Sequence, residues 1–334
     1  MKIKIAIYGG TDLSPELVAF TASLTKYLLQ FPEIIIVSGG FHYSIAHQDR
    51  ISVDRVVMET AEKYIDPQSF QERFETWLPK ENSRRKVQRF RKGKVVEVTG
   101  STQSRRFSMV QHIDALITIQ GRGHTRSVIE MAMAINKPVL PIAFTGGDSK
   151  KMWNRYKSDF IGLFRIPPKM VLQVQNLPAS ASHFTTTAKS IASFVREAVK
   201  KTCLVLMPFR ESDNSFYDNC LRKAIVNSDY VDHRIDRNDP AGNIPELFKT
   251  SLETAKAVII DITGNNPNVM YELGHVHAKN ISPLIILRTG KGKKTDKINL
   301  PFYVQQEMIV TAPGNKEGFE QIQAAVAAFL KKPR

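Results

Sequence analysis

Cysteine is nearly absent: the 334-residue chain has 2, Cys203 in a strand pattern and Cys220 in a helix pattern. That scarcity excludes a disulfide framework and fits a reducing compartment, so a cytoplasmic location is expected. Long apolar runs are missing too. The longest, such as Ile34-Ile-Ile-Val37 and Ala257-Val-Ile-Ile260, fall far short of the ~20 residues of a membrane-spanning helix, so no membrane partner is expected. Met1-Lys-Ile-Lys-Ile-Ala-Ile-Tyr8 enters a strand pattern at once, without the apolar stretch and cleavage site of a secretory signal. Acidic residues are sparse in one region only. Residues 1–201 hold 17 Asp+Glu against 30 Lys+Arg, whereas residues 202–334 hold 15 against 17. The net charge of +15 therefore sits almost wholly in the first part, which should attract phosphates.

What is present is a repeated punctuation of strand, glycine and helix. Ile3–Tyr8 ends in Gly9-Gly10, Ile34–Ser38 ends in Gly39-Gly40, and Pro138–Phe144 runs to Gly146-Gly147. Ala115–Ile119 leads through Gln120-Gly-Arg-Gly-His-Thr125 into a helical stretch over 126–135. Ser14 and Pro15 mark a helix start, and further helices are expected near 54–64 and 185–201. A new strand begins at Cys203, and the alternation resumes with helices at 216–228, 245–256 and 267–279 and strands at 257–262 and 284–287. A last amphipathic helix is expected over 318–331, and Lys291–Lys297 reads as a Lys-rich loop. The pattern predicts an α/β protein of two Rossmann-like three-layer domains, 1–200 and 201–334, each with a mainly parallel sheet.

In such sheets ligands bind beyond the carboxyl ends of strands. Asp261 falls at one such end. Asn266 is a good cap for the helix that follows, and Tyr271 and Glu272 lie in its opening turns. Gly274 leaves room beside Glu272 for a ligand or strand. A carboxylate here can stabilise the oxocarbenium-like state of a breaking N-glycosidic bond, or attack it. Asp236, Asp261 and Asn268 are candidate partners for ribose hydroxyls, and Phe209 can cover a base or nicotinamide ring. The same residues also suit an ordinary helix start and a capped loop, so spacing alone leaves both readings open. His275 and His277, two apart on a helix, do not face one another, and no metal site is expected.

The run Leu204-Val-Leu-Met-Pro-Phe209, Arg234-Ile-Asp236, Asp261-Ile-Thr-Gly-Asn-Asn-Pro-Asn-Val-Met-Tyr-Glu-Leu-Gly-His-Val-His-Ala278 and Leu300-Pro-Phe302 resembles the nucleoside 2-deoxyribosyltransferase-like and TIR-like superfamily. The resemblance implies an N-glycosidase with Glu272 as its catalytic carboxylate. It implies no required cofactor, and nucleosides, nucleotides or NAD as substrates.

In the first part, glycine pairs at successive strand ends converge on one crevice. There Gly9, Gly10, Gly39, Gly40, Gly121, Gly123 and Thr125 would form a cradle, with Arg105, Arg106 and Arg122 holding phosphates. By themselves, Arg105 and Arg106 read first as a solvated helix start. Arg105-Arg-Phe-Ser-Met109 and Asp114-Ala-Leu-Ile-Thr-Ile-Gln-Gly-Arg-Gly-His-Thr125, with Ser52-Val-Asp54, resemble the SLOG superfamily, kin of the LOG phosphoribohydrolases and DprA-like nucleotide binders. LOG enzymes carry a Glu three residues after the loop Thr, whereas Glu130 lies five after Thr125. The resemblance thus implies phosphate binding, and the changed spacing weighs against phosphoribohydrolase activity. Coupled SLOG domains in prokaryotic antiviral effectors imply a nucleotide second messenger as partner and self-association into a homo-oligomer. The basic run Arg84–Lys94 leaves nucleic-acid contact, a solvated loop and a lid over a nucleotide all open. A constitutive nucleoside or nucleotide deoxyribosyltransferase, and a non-catalytic nucleotide binder, are the alternatives.

Overall fold

The computed structural model describes residues 2–80, 87–164, 166, 168–238, 243–290, 300, 304 and 309–331. The chain divides into two compact units, Lys2–Val199 and Lys200–Arg334.

The first unit runs β1 (Ile3–Gly9), α1 (Pro15–Leu29), β2 (Ile34–Ser38), β3 (Phe41–Ser44), α2 (Val53–Tyr64), α3 (Phe70–Arg73), β4 (Phe74–Pro79), β5 (Val87–Arg89), β6 (Lys94–Val98), α4 (Thr102–Gln111), β7 (Ala115–Ile119), α5 (His124–Ala134), β8 (Val139–Ile142), α6 (Gly147–Leu163), α7 (Pro168–Gln175) and α8 (Phe184–Val199). Its main sheet is six-stranded and parallel, in the order β6-β4-β2-β1-β7-β8. The chain winds outward from β1 through β2 and β4 to β6, then returns to place β7 on the other flank of β1. The winding direction reverses between β1 and β7, where parallel sheets open a crevice. Helix α1 starts because the Ser14 hydroxyl accepts from Leu17 N at 3.4 Å and Pro15 needs no partner for a missing N–H. It stays docked because Phe20, Leu24 and Leu28, one face at a spacing of four, are fully buried.

The second unit runs β9 (Thr202–Leu206), α9 (Glu211–Phe216), α10 (Arg222–Asn227), β10 (Val231–His233), α11 (Ile235–Asn238), α12 (Ile244–Thr254), β11 (Ala257–Asp261), α13 (Pro267–Ala278), β12 (Leu284–Thr289), β13 (Ile309–Pro313) and α14 (Lys316–Lys331). Its five strands are also parallel, in the order β10-β9-β11-β12-β13. Alternation along β9 splits the core. Cys203 and Val205 pack with Phe216, Leu221 and the α14 residues Ile322 and Val326. Leu204 and Leu206 pack with Phe248, Leu252, Val269 and Leu273 of α12 and α13. One sheet between two helix layers is the three-layer arrangement. The reversal point of this sheet lies between β9 and β11.

Two sequence expectations need correction here. The helix expected from Phe216 begins at Glu211 and passes through a π turn at Tyr217–Leu221. The basic run is no loop where it is described: Val87–Arg89 pairs antiparallel with β3, and Lys94–Val98 edges the main sheet, with Phe90 buried between them. Residues 84–86 of that run, the 239–242 turn, the 291–297 loop and residues 301–302 of the second motif lie outside the described residues. Among the described residues no helix is long and apolar enough to cross a membrane.

Candidate functional site

In the second unit a cavity of about 520 Å³ opens at the carboxyl ends of β9 and β11. That volume lies in the range of small-molecule sites. Its walls are Met207–Arg210 after β9, Ile244, Pro245 and Phe248 of α12, and Asn266, Asn268, Val269, Tyr271 and Glu272 around the start of α13. Asn266 begins α13: its side-chain oxygen accepts from Asn268 N at 2.9 Å and Val269 N at 3.4 Å. Three apolar side chains stand open at the rim, Phe209 and Ile244 each 46 % exposed and Tyr271 65 %. Arg234, 1 % exposed, sets its guanidinium 5.7 Å from the Phe209 ring centre and so supports that wall from behind.

Glu272 falls in the second turn of α13, past the amides of the first turn where an anion gains most from the helix dipole. The free amides of the helix start therefore do little for this residue. Burial instead dominates and pushes its carboxyl up from 4.5 to about 7. Such a group is poised between acid and base at neutral pH.

Asp261 does not join it. It is wholly buried, with Arg288 Nη2 at 2.6 Å and Nε at 3.0 Å from Oδ2, while Thr263 donates to Oδ1 from its amide at 3.1 Å and from its hydroxyl. Arg288 also holds Asp213 at 2.8 Å and lies over the Phe216 ring at 4.2 Å. This is an interior ion network, so Asp261 is corrected from a catalytic to a structural residue. Asp236 pairs with Arg234 at 2.8 Å and does not line the cavity. Gly274 also stands apart: a Cβ there would meet nothing within 4 Å, so no strand or wall presses on it. Of the expected residues, Phe209, Asn268, Tyr271 and Glu272 come together. Ile244 and Phe248 were missed, because only the topology brings α12 beside β9, and Arg210, next to Phe209, was missed as well.

In the first unit a crevice of about 150 Å³ lies at the carboxyl ends of β1 and β7. It is walled by Tyr8–Asp12, Phe41, Arg50, Asp54, Arg89, Arg105, Arg106, Gln120–Arg122, His124 and Thr125. Arg105 and Arg106 are 2 % and 6 % exposed, which overturns the solvated-helix alternative. Arg106 donates from Nε to the Tyr8 hydroxyl at 3.1 Å. Arg105 and Arg89 both donate to the Gly39 carbonyl, at 3.3 and 3.1 Å. Their buried Nε atoms meet no acceptor among the described residues. Burial, with the charge of Arg105, pushes Arg89 down to about 10. Asp54 accepts from Ser38 Oγ at 2.5 Å and Gly39 N at 2.9 Å, yet burial holds its carboxyl above the usual range. Burial and the neighbouring Arg106 charge keep the His124 imidazole below its usual value.

The glycines divide by role. Gly9, Gly10 and Gly121 line the crevice, and Gly121 has φ +100° with the Thr125 hydroxyl 2.2 Å from where a Cβ would sit. Gly9 lets β1 close on Ile119. Gly39, Gly40 and Gly123 do not line it; the Gly39 carbonyl anchors two guanidinium groups, and Gly40 N donates to Ser38 Oγ at 3.2 Å. The amides of α5 contribute less than expected, since Arg126 N donates to Asp148 Oδ2 at 3.0 Å and His124 N to the Arg122 carbonyl at 2.7 Å. Side chains, chiefly arginines, supply most of the positive charge that lines this crevice. Glu130 pairs with Arg126 at 2.8 Å on the exposed face of α5 and stays outside the crevice. Tyr8, Asp54, Arg50, Arg89 and His124 were not foreseen as site residues. Among the described residues no group of three or more His, Cys, Asp or Glu is placed to hold a metal ion.

The fold and its two crevices define a two-unit α/β protein with a cleft at the reversal point of each parallel sheet. No family model and no curated protein matches the chain. Similar solved structures include a structural-genomics target, TM1055, at 22% identity and TM-score 0.34, covering 46% of this chain and 81% of that one. A molybdenum cofactor binding protein from Rippkaea orientalis gives 20% and 0.32 over 42% and 75%. DNA processing protein A from Helicobacter pylori, a single-stranded DNA binder, gives 19% and 0.33 over 47% and 73%.

Proposed function

We propose that the second unit is an N-glycosidase acting on a nucleotide or NAD, with Glu272 as its catalytic carboxylate. The observation that carries this is a half-buried carboxyl, pushed up to about 7, in the wall of a cavity with aromatic groups at its mouth. As the C1′–N bond lengthens, positive charge builds on the sugar, and an ionised Glu272 beside it lowers the barrier. Phe209 and Tyr271 offer ring faces to the base, and the Asn268 amide suits a sugar hydroxyl.

The first unit, on this proposal, binds a nucleotide second messenger through Arg89, Arg105, Arg106 and Arg122, and the protein serves antiviral defence as a homo-oligomer. The basic surplus of residues 1–201 and the arginine-lined crevice support it.

The test is base release, followed by chromatography, from NAD, nucleotides and nucleosides, with and without cyclic nucleotides. Wild type should release base and Glu272→Gln should not. Release that needs the cyclic nucleotide supports the regulated enzyme, and constitutive release supports a metabolic one. Wild type that releases base from nothing, with or without the signal, would defeat the glycosidase assignment. Unchanged mass by light scattering with and without ligand would count against signal-driven assembly.

A further inference from the structure

We infer that the first crevice is a proton-coupled oxyanion site: an anion that reaches Arg89 and Arg105 enters together with one proton, shared between it and the Asp54 carboxyl. The inference rests on the proposed reading of that crevice as a phosphate site and deepens it. Its starting point is a carboxylate standing where an anion would bind. Asp54, 7 % exposed, lies in the first turn of α2 and lines the crevice. Its Oδ1 accepts from Ser38 Oγ at 2.5 Å and from Gly39 N at 2.9 Å. Its Oδ2 accepts from no described residue, and no described arginine forms an ion pair with it. Bare Gly39 separates this oxygen from the Arg105 guanidinium. The point where a Gly39 Cβ would sit is 3.4 Å from Asp54 Oδ2 and 2.5 Å from Arg105 Nη1. Arg105 and Arg89 are both tied to the Gly39 carbonyl, so they are held beside Asp54 without pairing with it.

An oxyanion bound to these arginines therefore comes up against Oδ2. Two anionic oxygens repel strongly in a buried place, and one proton between them turns the repulsion into a short, charge-assisted O–H···O⁻ bond. The groups around the carboxyl leave it as the seat of that proton. Tyr8 of β1 accepts from Arg106 of α4. Asp12, the other acid of the lining, pairs with Arg50 at 3.5 Å. At the start of α5, Arg122 is a fixed cation, while burial and the Arg106 charge hold the His124 imidazole below its usual range and so neutral above it. On α2 itself Arg55 pairs with Glu59 at 2.8 Å, and α1, packed along α2, buries only apolar and threonine side chains. Burial already holds the Asp54 carboxyl above the usual range against the pull of Arg105 and Arg89, and an anion beside it moves it further the same way.

Sulfate is the probe, because it has the shape of a phosphate group and brings no proton of its own near neutral pH. Calorimetry on the full chain at constant ionic strength should show sulfate affinity falling about tenfold per pH unit on the alkaline side of neutrality. Titrations there in buffers of different ionisation heat should show about one proton taken up per sulfate bound. Asp54→Asn, whose amide can keep the Ser38 and Gly39 bonds and turn its NH₂ to the anion, should flatten the slope and bind sulfate more tightly than wild type at alkaline pH. His124→Gln should keep the slope. Arg89→Gln should weaken sulfate binding about tenfold or more at every pH. Affinity independent of pH in wild type, a slope that survives Asp54→Asn, or one that disappears in His124→Gln overturns the coupling and leaves the anion site standing. Sulfate and nucleotide binding both indifferent to Arg89→Gln and Asp54→Asn overturns the phosphate reading of the crevice, and the coupling with it.

Discussion

Arg288 donates from both Nε and Nη2 to one oxygen of Asp261, at 3.0 and 2.6 Å, in a place no solvent reaches from the Asp261 side. Removing one member of a buried pair leaves the other charge uncompensated, at a cost of ~3–5 kcal/mol. Asp213 still holds Arg288, so Asp261→Asn should cost near the lower end of that range by urea denaturation. Base release per folded molecule should persist. Normal stability with lost chemistry would return Asp261 to the catalytic set.

Glu272→Gln should lower base release by ~10²–10⁴-fold. In wild type, kcat/KM should rise with pH along a limb centred near 7, because the ionised carboxylate stabilises the sugar cation. A limb that falls through the same pH would make Glu272 a proton donor to the leaving base.

The same burial has a price in stability that depends on pH. Between 4.5 and about 7 the folded chain holds a proton on Glu272 that the unfolded chain has released. Stability from this group is therefore fully present below 4.5 and lost as pH rises through about 7. Partial contact with solvent at the cavity screens the effect, leaving ~1–2 kcal/mol. Glu272→Gln should remove it: a higher melting temperature than wild type at pH 8, and the same one at pH 4.

Two glycines should answer oppositely to alanine. At Gly121, φ is +100° and the new methyl would meet the Thr125 hydroxyl at 2.2 Å. Gly121→Ala should abolish nucleotide binding by the first unit in calorimetry, since Gln120–Thr125 must move. At Gly274, a Cβ meets nothing within 4 Å and the residue is helical, so Gly274→Ala should stabilise by ~0.5–1 kcal/mol. Unchanged base release by Gly274→Ala would agree with its place outside the cavity.

Arg106 reaches the first crevice with its Nε on the Tyr8 hydroxyl. Arg106→Ala should weaken nucleotide binding there by ~10–100-fold, the worth of a charge-assisted contact. Tyr8→Phe, which removes only the acceptor that orients Arg106, should cost less. Equal affinity in all three proteins would place the ligand elsewhere.

Much of this fold is written in short-range signals. Ile34–Ser38 and Ala115–Ile119 are mostly apolar strands ending in glycine loops, and Ser14, Ser52 and Asn266 announce their helices by chemistry that acts over three residues. Strand β4 escapes such reading because Phe74-Glu-Thr-Trp-Leu-Pro79 carries a buried charge, Glu75, which is neutralised by Lys4 at 2.8 Å from a distant strand. The sites follow the same rule. Glu272 was legible as part of a motif. Arg50 and Phe248 were not, since each owes its place in a crevice to neighbours that are remote in sequence.

The flanks of β1 are filled at different times during synthesis. Its partner β2 lies at residues 34–38, whereas β7, on the other side, begins at residue 115. A ribosome-bound chain that has not yet released β7 owns half a sheet, with one edge unpaired and no floor for the arginine crevice. Closure of that crevice thus waits on the synthesis of β7, and a chaperone or premature pairing would act on the open edge until then.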